Sequence, residues 1–271
     1  MKPLSSYSKD DPPRWLLSFD FDGTLAVADE YPPVKPEFFE LMEKMRRSHR
    51  TYWGINTGRS LMQAVQGLAD ARFPFLPDYI IAREREIYTP NKLGRWVGHS
   101  EWNERCHSDH HKLFRKSRRL LKKLRHWVEK ETAAIWGMQE AEPAGIVAST
   151  ASEMDVIVRK IDEVIQGWPK LSYQRNGIYL RFSHLRYHKG SALVELARIL
   201  EIPKERAFAI GDGHNDLDML SPDVAGLLAC PANACEEVVR QVESSGGYVA
   251  SKRASEGTIE ALKTILPYEG D

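Results

Sequence analysis

The sequence predicts an α/β protein: a parallel sheet wound with helices and interrupted once by a smaller α+β unit. Two observations carry this. Short apolar runs alternate with amphipathic helical patterns in both outer parts of the chain, as strands joined by helical crossovers do. The middle, residues 84–187, breaks that alternation and holds most of the histidines and much of the positive charge. A length of 271 residues suits one large domain or two moderate ones.

Residues 1–13 are polar and Pro-rich and read as a loose leader. RWLLSFD (14–20) is a short apolar run of the kind found in central strands buried on both faces. KPEFFELMEKMRRSH (35–49) sets Phe38, Phe39, Met42 and Met45 at helical spacing. TYWGIN (51–56) and DYIIA (78–82) read as the next strands, with the helix SLMQAVQGLAD (60–70) between them. In the middle part, HKLFRKSRRLLKKLRHWVEKE (111–131) is a basic amphipathic helix. AGIVAST (144–150) reads as a strand, SEMDVIVRKIDEVIQGW (152–168) as a helix, and LSYQRNGIYLRFSH (171–184) as a hairpin turning at Asn176-Gly177. The α/β pattern then resumes. Residues 189–202 form a helix stopped by Pro203, RAFAIGD (206–212) a strand, and NDLDML the start of a further helix. VAGLLA (224–229) and GYVAS (247–251) are short strands, and TIEALKTIL (258–266) is a closing helix. The expected division is a core of residues 1–83 and 188–271 with an inserted unit at 84–187.

Composition narrows the function classes. Hydrophobic residues make up 42% and charged residues 28%, so a packed core is expected. The formal net charge is zero, and the global field points neither to nucleic acid nor to an anionic membrane. The basic helix 111–131 reads as a solvated face, with little aromatic interleaving. Three cysteines, Cys106, Cys230 and Cys235, are too few and too spread for a disulfide framework or a zinc knuckle. His107, His110 and His111 near Cys106 read as ordinary polar residues, with no second cysteine at ligand spacing. The first fifteen residues lack a signal-peptide core, and no apolar run approaches the ~20 residues needed to span a bilayer. The expectation is a cytoplasmic protein, a monomer or small homo-oligomer, with a small-molecule ligand and no nucleic-acid or membrane partner.

The chemistry lies after the strands. Ligands of open parallel sheets bind beyond the strands' carboxyl ends. Asp20/Asp22, Thr57-Gly58-Arg59 and Gly211-Asp212 each follow a predicted strand. If those strands are neighbours, the three clusters meet at one sheet edge. Asp20 and Asp22 are two apart and can share a site, with Gly23 allowing a sharp turn after them. Carboxylates crowded together repel unless a cation intervenes, and an oxygen-only ligand set suits Mg²⁺. The expected ligands are Asp20 and Asp212, with the Asp22 main-chain carbonyl and Asp216. A phosphate would complete that shell. The Thr57 hydroxyl, the amides of Gly58 and Arg59, and the Lys189 ammonium would stabilise its charge, which is the main demand of phosphoryl transfer. One aspartate can serve as a covalent nucleophile and a second as acid and base.

These residues resemble the haloacid dehalogenase superfamily of phosphatases. DFDGTL (20–25) is similar to its first motif, DxDGT, and INTGR (55–59) to its second. HKG (188–190) is similar to the lysine motif, and GDGHNDLDML (211–220) to the fourth, GDxxND. All four occur in the family's order. The resemblance implies a Rossmann-like core and assigns Asp20 as nucleophile and Asp22 as general acid/base. It makes Thr57 and Lys189 phosphate binders and Asp212 and Asp216 metal-side carboxylates, with Asn215 orienting the cluster. An insert between the second and third motifs resembles the type IIB cap, whose members include sugar-phosphate phosphatases similar to sucrose-phosphatase and the Cof-like hydrolases. It implies a Mg²⁺-dependent sugar phosphatase working through an aspartyl-phosphate, with the cap as a lid that selects the substrate. Many members carry Asn-Gly after the third strand; here the stretch is IIAREREIYTP (80–90), closer to the sucrose-phosphatase branch. Trp96, Trp102, Tyr173 and Tyr179 are candidates to stack on a sugar ring, or to pack in the core. Two competing readings are a phosphomannomutase-like phosphomutase and a non-catalytic sugar-phosphate-binding protein.

Overall fold

The computed structural model describes Tyr7 and residues 12–27, 29–137 and 145–266. Most of the expected leader therefore lies outside the described residues. The chain opens with β1 (Trp15–Phe19), α1 (Pro36–His49), β2 (Thr51–Asn56), α2 (Leu61–Asp70) and β3 (Tyr79–Ala82), followed by β4 (Glu86–Pro90) and β5 (Trp96–Gly98). The middle comprises α3 (Ser100–Glu131), β6 (Ile135–Gly137), β7 (Gly145–Val147), α4 (Ala151–Ile165), β8 (Leu171–Asn176) and β9 (Tyr179–His184). The chain then runs through α5 (Lys189–Ile199), β10 (Ala207–Ile210), β11 (Leu227–Cys230), α6 (Glu236–Ser244), β12 (Tyr248–Val249) and α7 (Ala254–Ile265).

Two compact units result, residues 1–100 with 189–271, and residues 101–188. The larger unit is built on an eight-stranded sheet ordered β12-β11-β10-β1-β2-β3-β4-β5. The pairings from β12 to β3 are parallel, and β4 and β5 add antiparallel at one edge. The central strands are apolar on both faces: Leu16, Leu17, Phe19, Trp53, Ile80, Ile81, Phe208 and Ile210 are all fully buried or nearly so. Phe38 meets Phe19 edge-on at 5.3 Å and Trp53 at 5.6 Å, which seats α1 on the sheet. The register pairs Phe19 with Ile210 on one side and with Ile55 on the other, so the chain segments leaving β10, β1 and β2 start level with one another.

The smaller unit is a four-stranded antiparallel sheet, β6-β7-β9-β8, packed with α3 and α4 around Leu124, Val128, Ile146, Ile157, Ile161 and Phe182. Its β8–β9 hairpin turns at Asn176-Gly177, with Gly177 at φ +55°.

Four readings of the sequence change. β4 and β5 belong to the large sheet, so the unit boundary falls at residue 100 rather than 83. Trp96 accordingly packs against the larger unit's core. The basic helix starts eleven residues earlier than expected, at Ser100. NDLDML forms only a 3₁₀ turn at His214–Asp216, because the Asp216 carboxylate captures local backbone amides and Pro222 follows. Among the described residues, no helix is long and apolar enough to cross a membrane.

Candidate active site

Asp20 is the first residue past β1, and its amide donates to the Ile210 carbonyl at 3.0 Å, extending the ladder by one step. Its side chain is 6% exposed. Lys189 opens α5 and is fully buried, with its backbone carbonyl accepting from Asn56 Nδ2 at 3.1 Å. Its Nζ donates to Asp20 Oδ1 and to Asp216 Oδ1, both at 2.6 Å. The other oxygen of Asp216 accepts from the amides of Asp212 (3.0 Å) and Gly213 (2.8 Å). Asp216 thus shapes the loop after β10 as well as facing the lysine. Gly211 makes that loop possible, since a Cβ there would lie 2.3 Å from Asp216 Cγ. Asp212 Oδ1 accepts from Thr24 Oγ1 at 2.7 Å. Gly23, at φ +83°, leaves room for the Asp212 carboxylate, which a Cβ would meet at 2.3 Å.

Asp20, Asp212 and Asp216 each offer an oxygen, all within 4.8 Å of one another. Three carboxylates face one ammonium, and the electrostatics record the excess. Burial and the neighbouring Asp216 raise the Asp20 carboxyl well above its usual range, against the pull of Lys189. Burial, then Asp216, lifts Asp212 to about 6. Burial alone would push the Lys189 ammonium down, but Asp20, Asp216 and Glu84 outweigh it and hold the charge on. Hard oxygen donors with surplus negative charge are what a small divalent cation needs, so the donor set fits Mg²⁺.

Asp22 is placed differently. Its carboxylate takes a two-pronged grip from Arg59, with Nε–Oδ2 at 2.8 Å and Nη2–Oδ1 at 2.6 Å. The guanidinium also lies over the Phe21 ring at 4.8 Å, and Gly67 provides the notch, since a Cβ there would meet Arg59 Nη1 at 2.5 Å. The Arg59 side chain is therefore committed to Asp22, and its amide, the group expected at the phosphate, donates to Thr57 Oγ1 at 3.2 Å. Thr57 is buried at the end of β2. Gly58 and Asn215 lie near each other: a Cβ on Gly58 would be 3.9 Å from Asn215 Nδ2.

Several supporting residues escaped the sequence reading. Asn233 Nδ2 donates to the Gly23 carbonyl at 2.8 Å while its Oδ1 accepts from the Ala254 amide, which pins the loop after β1 to the start of α7. Thr258 donates to the Thr24 carbonyl at 2.8 Å. Glu84, buried in the β3–β4 turn, accepts from Asn215 Nδ2 at 3.0 Å. Asn233 lies in Pro-Ala-Asn-Ala-Cys (231–235) before α6, and neither there nor around Glu84 does a local pattern mark the residue.

The aromatic candidates for sugar stacking divide. Trp102 is buried against Tyr187, with ring centroids 5.3 Å apart, and Tyr173 donates to Asp162. Tyr179 is 53% exposed. His110 is a structural residue, its two ring nitrogens meeting the Cys106 carbonyl and the His184 amide. At the start of α6, His214, Cys235 and Glu237 also cluster. Burial raises the Cys235 thiol and so disfavours a thiolate ligand there, and His214 Nε2 lies 3.5 Å from Glu237 Oε2 in the first turn of α6.

Asp20, Asp212 and Asp216 thus gather at the carboxyl end of the parallel sheet, with a buried lysine bridging two of them. Residues 77–261, more than half of the chain, match the model of the haloacid dehalogenase-like hydrolase family, and the chain belongs to that family. Among curated proteins it is similar to a phosphoglycolate phosphatase of Methanopyrus kandleri, 29% identical over 134 residues, covering 48% of this chain and 55% of that one. A phosphoglycolate phosphatase of Methanoculleus marisnigri is 38% identical over 80 residues, covering 30% and 32%. The chain thus spans about half or less of the length of the curated relatives it matches. Among solved structures, the sucrose-phosphatase of Synechocystis sp. in complex with sucrose and phosphate superposes with a TM-score of 0.70 at 20% identity, covering 93% of this chain and 98% of that one. A haloacid dehalogenase-like hydrolase from Bacillus subtilis gives 0.67 at 17%, covering 98% and 96%. At these identities the structural likeness speaks for the fold.

Proposed function

We propose that this protein is a Mg²⁺-dependent phosphatase that hydrolyses a small phosphorylated metabolite, with a sugar phosphate as the preferred class. The observation that carries the reading is the buried Lys189 ammonium, 2.6 Å from both Asp20 and Asp216, with Asp212 alongside. A salt bridge alone is a poor reason to bury two carboxylates and hold a third, half-buried, beside them, since replacing buried ion pairs by apolar residues is often neutral or better for stability. A catalytic duty explains the arrangement.

In this reading a carboxylate oxygen of Asp20 attacks phosphorus, and the bond to the leaving oxygen breaks as Asp22 gives that oxygen a proton. Water then attacks the same phosphorus while Asp22 takes its proton, and the bond to Asp20 breaks to release inorganic phosphate. Asp20, Asp212 and the Asp22 main-chain carbonyl would hold Mg²⁺, with Asp216 fixing the loop that carries Asp212. The ion, when bound, supplies charge neutralisation at the phosphoryl oxygens. Thr57, the Gly58 amide, Lys189 and Asn215 bind and orient the phosphate. Substrate choice is assigned to the inserted unit.

A second reading of the substrate, a phosphorylated hydroxy acid, is favoured by the phosphoglycolate phosphatases among the curated relatives. A phosphate-release screen over sugar phosphates, phosphoglycolate and nucleotides decides between them. Release with Mg²⁺ that disappears with EDTA is expected. No release from any phosphomonoester overturns the phosphatase, and conversion of a sugar 1-phosphate to its 6-phosphate isomer replaces it with a mutase.

A further inference from the structure

The β3–β4 hairpin turns through Arg83 (φ +49°) and Glu84 (φ +65°), two consecutive left-handed residues. Such a turn ordinarily takes Asn-Gly, because side chains are strained there. The strain is held in place by backbone bonds to the Thr57–Arg59 segment. The Arg83 amide donates to the Arg59 carbonyl at 2.8 Å, the Glu84 amide to the Thr57 carbonyl at 2.9 Å, and the Arg85 amide closes the turn on Ala82 at 3.0 Å. The consequence is to aim a carboxylate inward. Glu84 is 6% exposed, its Oε1 accepts from Asn215 Nδ2 at 3.0 Å, and that same oxygen lies 3.2 Å from where a Cβ on Gly58 would sit. It is also one of the three carboxylates that act on Lys189.

Gly58, Asn215 and Lys189 are groups that the proposed phosphatase reading assigns to the phosphate, and the present inference rests on that reading. We propose that the Glu84 carboxylate is a resident anion of the phosphate seat, a specificity residue that an incoming phosphoryl group must displace from Asn215 and Gly58. A phosphate would meet a like charge there, so the site admits only esters whose remaining contacts outweigh the repulsion, and it releases free inorganic phosphate readily. A turn strained to bury a charge next to anion-binding groups has a local purpose of this kind; a turn serving the hairpin alone would be better made by Asn-Gly.

The test compares wild-type protein with Glu84→Gln, which keeps the shape and loses the charge, and with Glu84→Gly, which removes the carboxylate and relieves the positive φ. Binding of inorganic phosphate is measured calorimetrically in Mg²⁺, together with KM for p-nitrophenyl phosphate. Both variants are expected to bind phosphate about tenfold more tightly, with KM falling in parallel. Glu86→Gln, two residues along the same hairpin, is the control and should leave phosphate affinity at the wild-type value. Unchanged or weaker phosphate binding in both variants overturns the proposal, and a loss confined to kcat makes Glu84 a positioning residue for Asn215 instead. If wild-type protein turns over phosphomonoesters and the variants bind phosphate no better, only this inference fails. If neither turnover nor phosphate binding occurs in any of the proteins, the phosphatase reading fails with it.

Discussion

Asp20 and Asp22 are the same residue type two positions apart, yet the fold gives them opposite surroundings. Asp20 continues the strand, is buried, and meets an ammonium that is itself fully buried. Asp22 lies in the turn, its side chain is 48% exposed, and it meets a guanidinium that is 34% exposed. Solvent screens the second pair and leaves the first at nearly full strength. Environment can split two carboxylates into different chemical roles. In the proposed reaction the buried one attacks and the accessible one exchanges protons with the leaving oxygen and with water.

Replacing each in turn tests that division most directly. Asp20→Asn is expected to lower kcat by about 10³-fold or more while the fold persists, because no other group stands in its place. Asp22→Asn should leave the first phosphoryl transfer from an activated ester, such as p-nitrophenyl phosphate, less impaired than transfer from an alkyl ester. An activated leaving group needs no proton. Equal losses on both ester types would merge the two roles that the comparison separates.

Lys189 sits on the buried side of the comparison, and its removal is expected to cost stability as well as activity. Lys189→Met leaves Asp20 and Asp216 facing each other without their cation, and breaking a buried pair in this way costs roughly 3–5 kcal/mol. Urea unfolding in EDTA reads the loss. Arg59→Met, on the solvent side, should cost about 1 kcal/mol or less. A similar cost for both would show that burial does not distinguish the two pairs.

Much of this centre was legible in the sequence because its carboxylates directly follow apolar runs too short to be helices. Asp20, Thr57 and Asp212 were placed by that rule alone, and Lys189 and Asn215 by motif. What remained hidden depends on contacts that no local pattern encodes. β4 and β5 went unread because the turn joining β3 to β4 uses Arg83-Glu84 where the sequence signal would be Asn-Gly. The first turns of α3 went unread because Trp102, Cys106 and His110, its buried stripe, include a histidine that passes for a polar interruption. α6 was missed because its buried face is Val238 and Val242, β-branched residues that argue weakly for a helix. Asn233 and Thr258 act through backbone carbonyls more than 200 positions away.

A smaller effect is expected at Asp212. Its carboxyl rises from the ordinary 3.8 to about 6 in the folded protein. A raised carboxyl binds its proton more tightly folded than unfolded. Its stabilising effect is therefore complete below pH 4 and disappears as the pH climbs through 6. Metal-free protein should accordingly lose thermal stability between about pH 4 and 7, beyond what its other carboxylates contribute. Asp212→Asn removes the repelling charge and keeps an acceptor for Thr24 Oγ1. Two pKa units set a ceiling of about 3 kcal/mol, and because the titration of Asp212 is tied to that of its charged neighbours the expected gain at pH 7 is about 1–2 kcal/mol. The same variant should lose Mg²⁺-dependent turnover, trading function for stability as active-site carboxylates do. Melting curves in EDTA at pH 5 and 7 check the sign, and a variant less stable than wild type at pH 7 would remove the electrostatic strain from this account.

The smallest effect expected concerns the shape of the Arg59 fork. Arg59→Lys keeps a positive charge near Asp22 but replaces two parallel N–H bonds and the stacking over Phe21 with a single point contact. Because the pair is part-exposed, unfolding free energy should change by less than about 1 kcal/mol. Turnover should respond more, by roughly three- to tenfold in kcat, since the fork fixes where the Asp22 carboxylate points and proton transfer depends on that geometry. Steady-state kinetics on an alkyl phosphate and on p-nitrophenyl phosphate separate the two contributions. A loss on the alkyl ester alone places Arg59 behind Asp22 as its positioning residue. An equal rise in KM on both esters, with kcat intact, returns Arg59 to the phosphate-binding role that its place beside Thr57 and Gly58 suggests.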